Sequence, residues 1–336
     1  MRVFQVAGGW SMDHTALGER PLPVPGRREV RLRMGASSVN YRDLLVPVRG
    51  YGSRQQKLPL IMLADGAGVV ESLGDGVTRW QVGDRACPLC FPNWIDGEPD
   101  RHKLSMSLGC ECDGTMAEYM VVSEDALVRI PDHLSAEEAA TLPTAALTAW
   151  RAVITEGAVR PGQRVLVQGT GGVSTFALQF AKLAGAHVTV ISSNDDKLSR
   201  ARALGADAGL NYRQTPDWGG AMHEAAGDGL DLIIDVGGRA TLPQSLRAIR
   251  RGGTIALIGV LSGDSVDIRL GPVVTRHVRL QGITVGSRRD FEAMVQAIAQ
   301  HRLRPALDCS YPFEGLKDAL ARLAGGQHFG KIVIRH

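Results

Sequence analysis

One short stretch constrains this chain more than any other. It is Val165-Leu166-Val167-Gln168-Gly169-Thr170-Gly171-Gly172-Val173-Ser174, read as a strand, a glycine-rich turn and the start of a helix. Gly169 permits the tight turn, and Gly171 lets a pyrophosphate approach the backbone. The helix that follows offers unpaired N–H groups and a partial positive charge to phosphates. Gly169, Thr170, Gly171, Gly172 and Val173 are therefore the candidate pyrophosphate cradle. Ser174 stands where a third glycine of the G-x-G-x-x-G pattern would be, and its small side chain is tolerable there. A glycine-rich turn alone is weak evidence. Here the preceding strand, the amphipathic helix after it and the next strand at a suitable distance supply the confirming context.

The rest of the second half continues the same rhythm. Short apolar strands begin at Val165, His187, Leu232 and Thr254, and amphipathic helices over 175–183, 195–204 and 242–249 lie between them. That alternation predicts an α/β fold with a parallel sheet covered on both faces. Residues up to about 125 read differently, with alternating strands such as 29–34 and 68–73 separated by Gly-Asp turns. A capping box, Ser135-x-x-Glu138, opens an alanine-rich helix. Helices over 291–301 and 313–323 and a final strand, 331–334, form the tail, which is expected to return to the first domain. The stretch 90–109, with Trp94, Pro92 and Pro99, reads as a mobile loop.

A formal charge of +3 over 336 residues gives no ground for a nucleic-acid partner. No apolar run is long enough to span a membrane, and the N-terminus lacks the apolar core and cleavage site of a signal peptide. The expectation is a cytoplasmic protein whose five cysteines are reduced.

The residue ending the second strand of a dinucleotide-binding unit is Asp or Glu where a free ribose 2′-hydroxyl is bound. This chain has Ile191-Ser192-Ser193-Asn194 instead, and Lys197 one turn on. The missing carboxylate removes repulsion against a 2′-phosphate, which favours NADP(H) over NAD(H). Ser193 or Asn194 also reads as the cap of the next helix, with Asp195 and Asp196 in its first turn. Both readings hold at once.

Together with this loop, further motifs resemble the medium-chain dehydrogenase/reductase superfamily along essentially the whole chain. They are Ser38-Val39-Asn40-Tyr41-Arg42-Asp43, Asp65-Gly66-Ala67-Gly68-Val69-Val70, Gly83-Asp84-Arg85, Leu142-Pro143, Leu147-Thr148-Ala149-Trp150, Leu204-Gly205-Ala206-Asp207 and Asn211-Tyr212. The chain is most similar to the zinc-free branch of quinone oxidoreductases and enoyl-type reductases. The resemblance implies a GroES-like β domain, 1–127 and 287–336, and a Rossmann doubly wound parallel-sheet domain, 128–286, with the active site in the cleft between them. It implies that Lys197 and Tyr212 hold a 2′-phosphate, and that Val236, Gly237, Ile258, Gly259, Val260, Val285 and Gly286 line the cofactor. Where zinc-dependent members place their ligands, motif alignment puts Asn40, Ala64 and Thr144, which is a poor set for zinc, so no catalytic metal is expected. Cys87-x-x-Cys90 and Cys110-x-Cys112 lie in the region of the relatives' structural zinc lobe. Their spacing departs from that pattern, and buried apolar cysteines are the alternative.

Hydride transfer without a Lewis acid calls for a substrate that is already a good acceptor, such as a quinone or an alkene conjugated to a carbonyl, and for a hydrogen-bond donor at its oxygen. Tyr41 and Asn40 are the first candidates for that donor, followed by Asp65 and Thr144. Tyr41 reads equally as a ring packed at a turn, Asp65 as a buried residue bonded to backbone, and Arg42 as a surface charge. An alcohol or aldehyde dehydrogenase on the same scaffold, and a non-catalytic NADP(H)-binding sensor, are the competing readings. The resemblance also implies a homodimer through Rossmann edge strands, expected near 266–280, where an exposed edge needs a partner.

Overall fold

The computed structural model describes residues 1–49, 51 and 57–336, and the chain divides into two compact units, Met1–Leu147 with Val285–His336, and Thr148–Thr284. The first boundary falls at Leu147, beyond the expected 127, because the helical stretch after Ser135 belongs to the first unit's sheet. There Ser38 Oγ donates to Ala140 O (2.9 Å) and Cys87 Sγ to Ala139 O (3.3 Å). Among the described residues no helix is long and apolar enough to cross a membrane.

The leading segment of the first unit runs β1 Arg2–Val6, β2 Thr15–Glu19, β3 Glu29–Ser38, α1 Arg42–Leu45, β4 Leu60–Ile61, β5 Asp65–Leu73, β6 Arg85–Pro88, β7 Tyr119–Ser123, β8 Leu127–Arg129 and α2 Ala136–Ala139. A short helix, α3 Leu147–Trp150, follows at the boundary. The second unit then runs β9 Arg164–Gln168, α4 Gly172–Leu183, β10 His187–Ser192, α5 Asp195–Ala203, β11 Ala208–Asn211, α6 Trp218–Ala225, β12 Leu230–Asp235, α7 Leu242–Ala248, β13 Ile249–Leu257, α8 Leu270–Thr275 and β14 Arg279–Gly282. The chain returns to the first unit with α9 Arg288–His301, β15 Leu307–Pro312, α10 Leu316–Ala324 and β16 Lys331–Arg335.

In the second unit all six strands are parallel, in the order β11-β10-β9-β12-β13-β14. This is the doubly wound order, whose reversal lies between β9 and β12, where such sheets bind ligands at their carboxyl ends. The central strands β9, β10 and β12 carry buried apolar runs because helices cover both faces. Leu166, Ile191, Ile233 and Ile255 fill the core, with Trp218 from α6. The edge expected over 266–280 is mostly not a strand. α8 occupies 270–275, and the edge strand at this end of the sheet, β14, begins only at Arg279.

The first unit is built on a largely antiparallel sheet, β15-β16-β3-β5-β6-β8, with β7 beside β3. Along β3, Val30, Leu32, Met34 and Ala36 alternate inward, and then Ser37 and Ser38 are both buried as the strand is covered on two faces. On α10, Leu316, Ala319 and Leu320 form one buried stripe that packs with Phe313, Ile332 and Ile334. The 90–109 stretch, read from sequence as a mobile loop, is tied down instead. Trp94 is fully buried, its indole donates to Gly97 O (2.8 Å), and Leu108 N donates to Cys90 O (2.9 Å).

Candidate active site

In the second unit, β9 ends at Gln168 and Gly169 turns the chain at φ +73°, a left-handed conformation that favours glycine. Gly171 is the N-cap of α4 and makes no side-chain cap, so the first N–H groups of a 12-residue helix stay open to an anion. Ser174 is more than tolerated: its buried hydroxyl donates to Gln168 O at 2.7 Å and closes the turn on itself.

Asp235, which the sequence shows only as a strand end, organises the neighbouring loop from the end of β12. Its Oδ1 accepts from Gly237 N and Gly238 N, both at 3.1 Å, and from Thr241 Oγ1 at 2.6 Å. Its Oδ2 accepts from Gln168 Nε2 (3.1 Å) and Ser245 Oγ (2.7 Å). One buried carboxylate therefore ties Val236–Gly238 to the phosphate-loop strand. A Cβ on Gly259 would stand 2.5 Å from Val236 O, so the loop holding Ile258, Gly259 and Val260 approaches that turn only because residue 259 is glycine. Val285 and Gly286 belong to the returning segment of the first unit, at the entry to α9.

At the end of β10, Asn194 caps α5, its Oδ1 accepting from Lys197 N at 3.0 Å. The nearby acid, Asp195, is held by Asn211 and Gln214, each at 3.0 Å. Tyr212 N donates to Ser192 O (3.1 Å), which brings the half-exposed Tyr212 beside Ser192, Ser193 and the turn carrying Lys197. No carboxylate ends β10.

A cavity of about 770 Å³ in this unit lies elsewhere, at the amino ends of the strands, lined by His223, Arg247, Arg250, Arg251 and Arg276. Its arginines already bond Asp217, Asp231 and the carbonyls of Leu246, Ile249 and Thr275.

The first unit gathers three of the four candidate catalytic residues, Asn40 and Asp65 through strand register and Thr144 from the π-helical segment Leu142–Ala146. Ser38 pairs with Asp65 across β3–β5 and with Val333 across β3–β16. Continuing the antiparallel β3–β16 register past Ser38 sets Asn40 opposite Lys331, two residues along from the Ser38–Asp65 pair. Asp65 and Lys331 are buried, whereas Asn40 and Thr144 are only half-buried. Asp65 Oδ2 accepts from Asn40 Nδ2 (2.9 Å) and Lys331 Nζ (3.5 Å), with the Ser38 hydroxyl 3.3 Å away, and Oδ1 accepts from Thr144 Oγ1 (2.5 Å). Lys331 Nζ also donates to Asn40 Oδ1 (2.6 Å) and Val39 O (2.8 Å). Burial lowers the Lys331 ammonium's pKa, opposed by Asp65 and Asp43. Asp65 is thus bonded chiefly to side chains, not to backbone. Lys331 gave no signal in the sequence beyond one charge in an apolar final strand.

Tyr41 stands at the N-cap of α1 with its side chain 47% exposed. Arg42, read from sequence as a surface charge, is buried. Its guanidinium donates to Leu108 O (2.8 Å), Cys90 Sγ (3.3 Å) and Ser107 Oγ (3.4 Å), and lies over the Tyr51 ring. Beside it, burial pushes the Asp43 carboxyl up to about 6, against the pull of Arg42 and the Asn40 N–H. The Cys90 thiol is pushed up to about 11 by burial.

The three positions aligned with zinc ligands do not fit that metal. Ala64 has no donor atom, Asn40 Oδ1 already faces an ammonium, and the Thr144 hydroxyl is directed at Asp65. Among the described residues, no group of three His, Cys, Asp or Glu side chains is placed to share an ion, and Cys87, Cys90, Cys110 and Cys112 do not converge on one.

Comparison with known proteins places this geometry. Residues 26–132 match the alcohol dehydrogenase GroES-like domain, and residues 172–300 match the zinc-binding dehydrogenase family. A zinc-type alcohol dehydrogenase-like protein of Schizosaccharomyces pombe is 41% identical over 314 residues, 91% of this chain and 90% of its own. The crystal structure of an NAD-dependent alcohol dehydrogenase superposes with a TM-score of 0.92 at 33% identity, covering 100% of both chains. A 2-octenoyl-CoA carboxylase reductase, solved with NADP and 2-octenoyl-CoA, superposes with a TM-score of 0.85 at 26% identity, over 96% of this chain and 82% of that one.

Proposed function

The chain belongs to the medium-chain dehydrogenase/reductase superfamily, in its alcohol dehydrogenase-like branch, and is an NAD(P)-dependent oxidoreductase; on that premise we propose that it reduces a quinone or an alkene conjugated to a carbonyl, with NADPH and without a catalytic zinc. The observation that carries the reading is the Lys331–Asn40–Asp65 network, which sets an ammonium against the oxygen that a metal ion would need. A neutral donor polarises a substrate oxygen less than a Lewis acid does, so the acceptor itself must be activated.

Gly169, Thr170, Gly171, Gly172 and Val173 would hold the pyrophosphate. Lys197 and Tyr212, beside Ser192, Ser193 and Asn194, would hold a 2′-phosphate. Val236, Gly237, Ile258, Gly259, Val260, Val285 and Gly286 would line the remainder of the cofactor. When bound, the nicotinamide supplies the hydride. Asn40 donates a hydrogen bond to the oxygen that gains negative charge, with Tyr41 as a second donor. Asp65 and Thr144 act behind Asn40 as its support. The complex of the 2-octenoyl-CoA carboxylase reductase with NADP supports both the cofactor and the substrate class. The relatives named alcohol dehydrogenases favour an alcohol–aldehyde pair as the second reading.

The test is consumption of NADPH and of NADH against a quinone, an enone and a saturated aldehyde. Faster turnover of NADPH with quinone or enone is the expected result. Turnover with the aldehyde alone gives the protein to the second reading.

We also propose that a second copy pairs along β14. Among the described residues no strand pairs with its outer edge, and Leu270 and Val274 of the preceding α8 are more than half exposed. Light scattering at micromolar concentration should report a dimer, and a monomer there removes the proposal.

A further inference from the structure

Asn40 is an amide, and an amide can turn over about its last torsion, exchanging O for NH2 with almost no change in shape. Which face it presents decides whether it offers a substrate a donor or an acceptor. Two buried groups of opposite kind settle the matter. Lys331 Nζ, which only donates, is 2.6 Å from Asn40 Oδ1, and Asp65, which only accepts when ionised, is 2.9 Å from Nδ2. Turned over, the amide would set N–H against ammonium and C=O against carboxylate, in a place too dry to screen either clash.

Lys331 has three oxygen acceptors, Val39 O, Asn40 Oδ1 and Asp65 Oδ2, and only the charged ammonium carries three hydrogens for them. With one N–H on Asp65, the second amide N–H of Asn40 remains. Thr144 has the opposite character. Its single hydrogen is directed at Asp65 Oδ1 at 2.5 Å, leaving its oxygen to accept.

We propose that Lys331 is a positioning residue for the reduction: its buried ammonium locks the Asn40 amide so that the remaining N–H, and not the carbonyl, is offered to the substrate oxygen. This rests on the reductase reading above, and the experiment separates the two.

Four variants are compared with the wild type: Asn40→Ala, Lys331→Met, the pair of these, and the charge-balanced pair Asp65→Leu with Lys331→Met. Asn40→Ala should lower kcat for an enone roughly 100-fold, the scale of losing one oxyanion donor. Lys331→Met should do nearly the same while the Kd for NADPH, read by fluorescence, stays within about twofold. Because both act through one amide, the pair should be no slower than Asn40→Ala alone. The charge-balanced pair should regain thermal stability but not kcat. Multiplying losses in the first pair, or recovered turnover in the second, overturns the inference, since Lys331 then serves only to neutralise Asp65.

A readout without turnover accompanies these. A conjugated dimethylamino-enone chromophore at saturation should shift to the red in the wild type and lose that shift in Asn40→Ala and in Lys331→Met. An equal shift in the wild type and Lys331→Met also overturns it. If the wild type reduces neither quinone nor enone, the reductase reading falls, while the chromophore still tests the lock.

Discussion

The phosphate loop of the second unit and the polar network of the first are made in opposite ways. The loop is made of backbone: a left-handed Gly169, an uncapped helix end at Gly171 and a glycine at 259 that admits the neighbouring turn. The network is made of side chains from β5, β16, the residues just after β3 and the π-helical segment Leu142–Ala146, and it is held by charge. Backbone sites tolerate changes of side chain but not of conformation. Charged buried networks suffer most from the loss of one partner, which strands the other charge. The two should therefore fail differently.

The sharpest break in that comparison is Asp65→Leu. It leaves the Lys331 ammonium buried without its carboxylate and should cost about 3–5 kcal/mol of stability in urea denaturation. Adding Lys331→Met should return most of that loss, and no recovery would show that the network is not held by charge.

Next comes an acid window in the same unit. His336 lies with Nε2 2.9 Å from Ser37 Oγ and Nδ1 3.1 Å from Ala117 O, and burial holds it down to about 4, below its ordinary 6.5. A base whose folded pKa is depressed lends stability above the unfolded value and loses it as pH falls toward the folded one. Between pH 6.5 and 4 the loss should reach on the order of 3 kcal/mol. His336→Gln should flatten melting temperature against pH in that window, and an unchanged slope would assign the acid sensitivity to another group.

In the second unit the effects should fall on the ligand and less on the fold. Gly169→Val forces a β-branched residue into a left-handed turn, a strain of about 1–2 kcal/mol, and calorimetry should find NADPH bound roughly tenfold more weakly. Smallest is Lys197→Ala, which should weaken NADPH about fivefold, on the order of 1 kcal/mol, and leave NADH unchanged. Equal losses for both cofactors would detach Lys197 from the 2′-phosphate.

The same difference decides what was legible in the sequence. The phosphate loop is contiguous, so spacing alone exposed Gly169, Gly171 and the strand before them, and the alternation after it gave the parallel sheet. Lys331 and Asn40 are 291 positions apart. They meet through the register of β16 on β3, which no local pattern encodes. Arg42 read as a surface charge because its partners, Cys90, Ser107 and Leu108, come from a loop whose path depends on the burial of Trp94. Asp235 was visible as the end of a strand, but its role in fixing Gly237 and Gly238 needed the turn itself. The 266–280 edge failed as a strand because its apolar residues are shared between a coil, α8 and only the start of β14.

The central claim is hydride transfer without a metal, and one measurement bears on it most directly. The rate of NADPH oxidation with a single enone is followed for the protein as purified, after exhaustive chelation, and after added zinc, with metal content measured in each sample. The account predicts equal rates in metal-free and untreated protein and no gain from zinc. A rate that vanishes on chelation and returns with one equivalent of zinc would contradict it, and would mean that Asn40 and its neighbours rearrange around an ion.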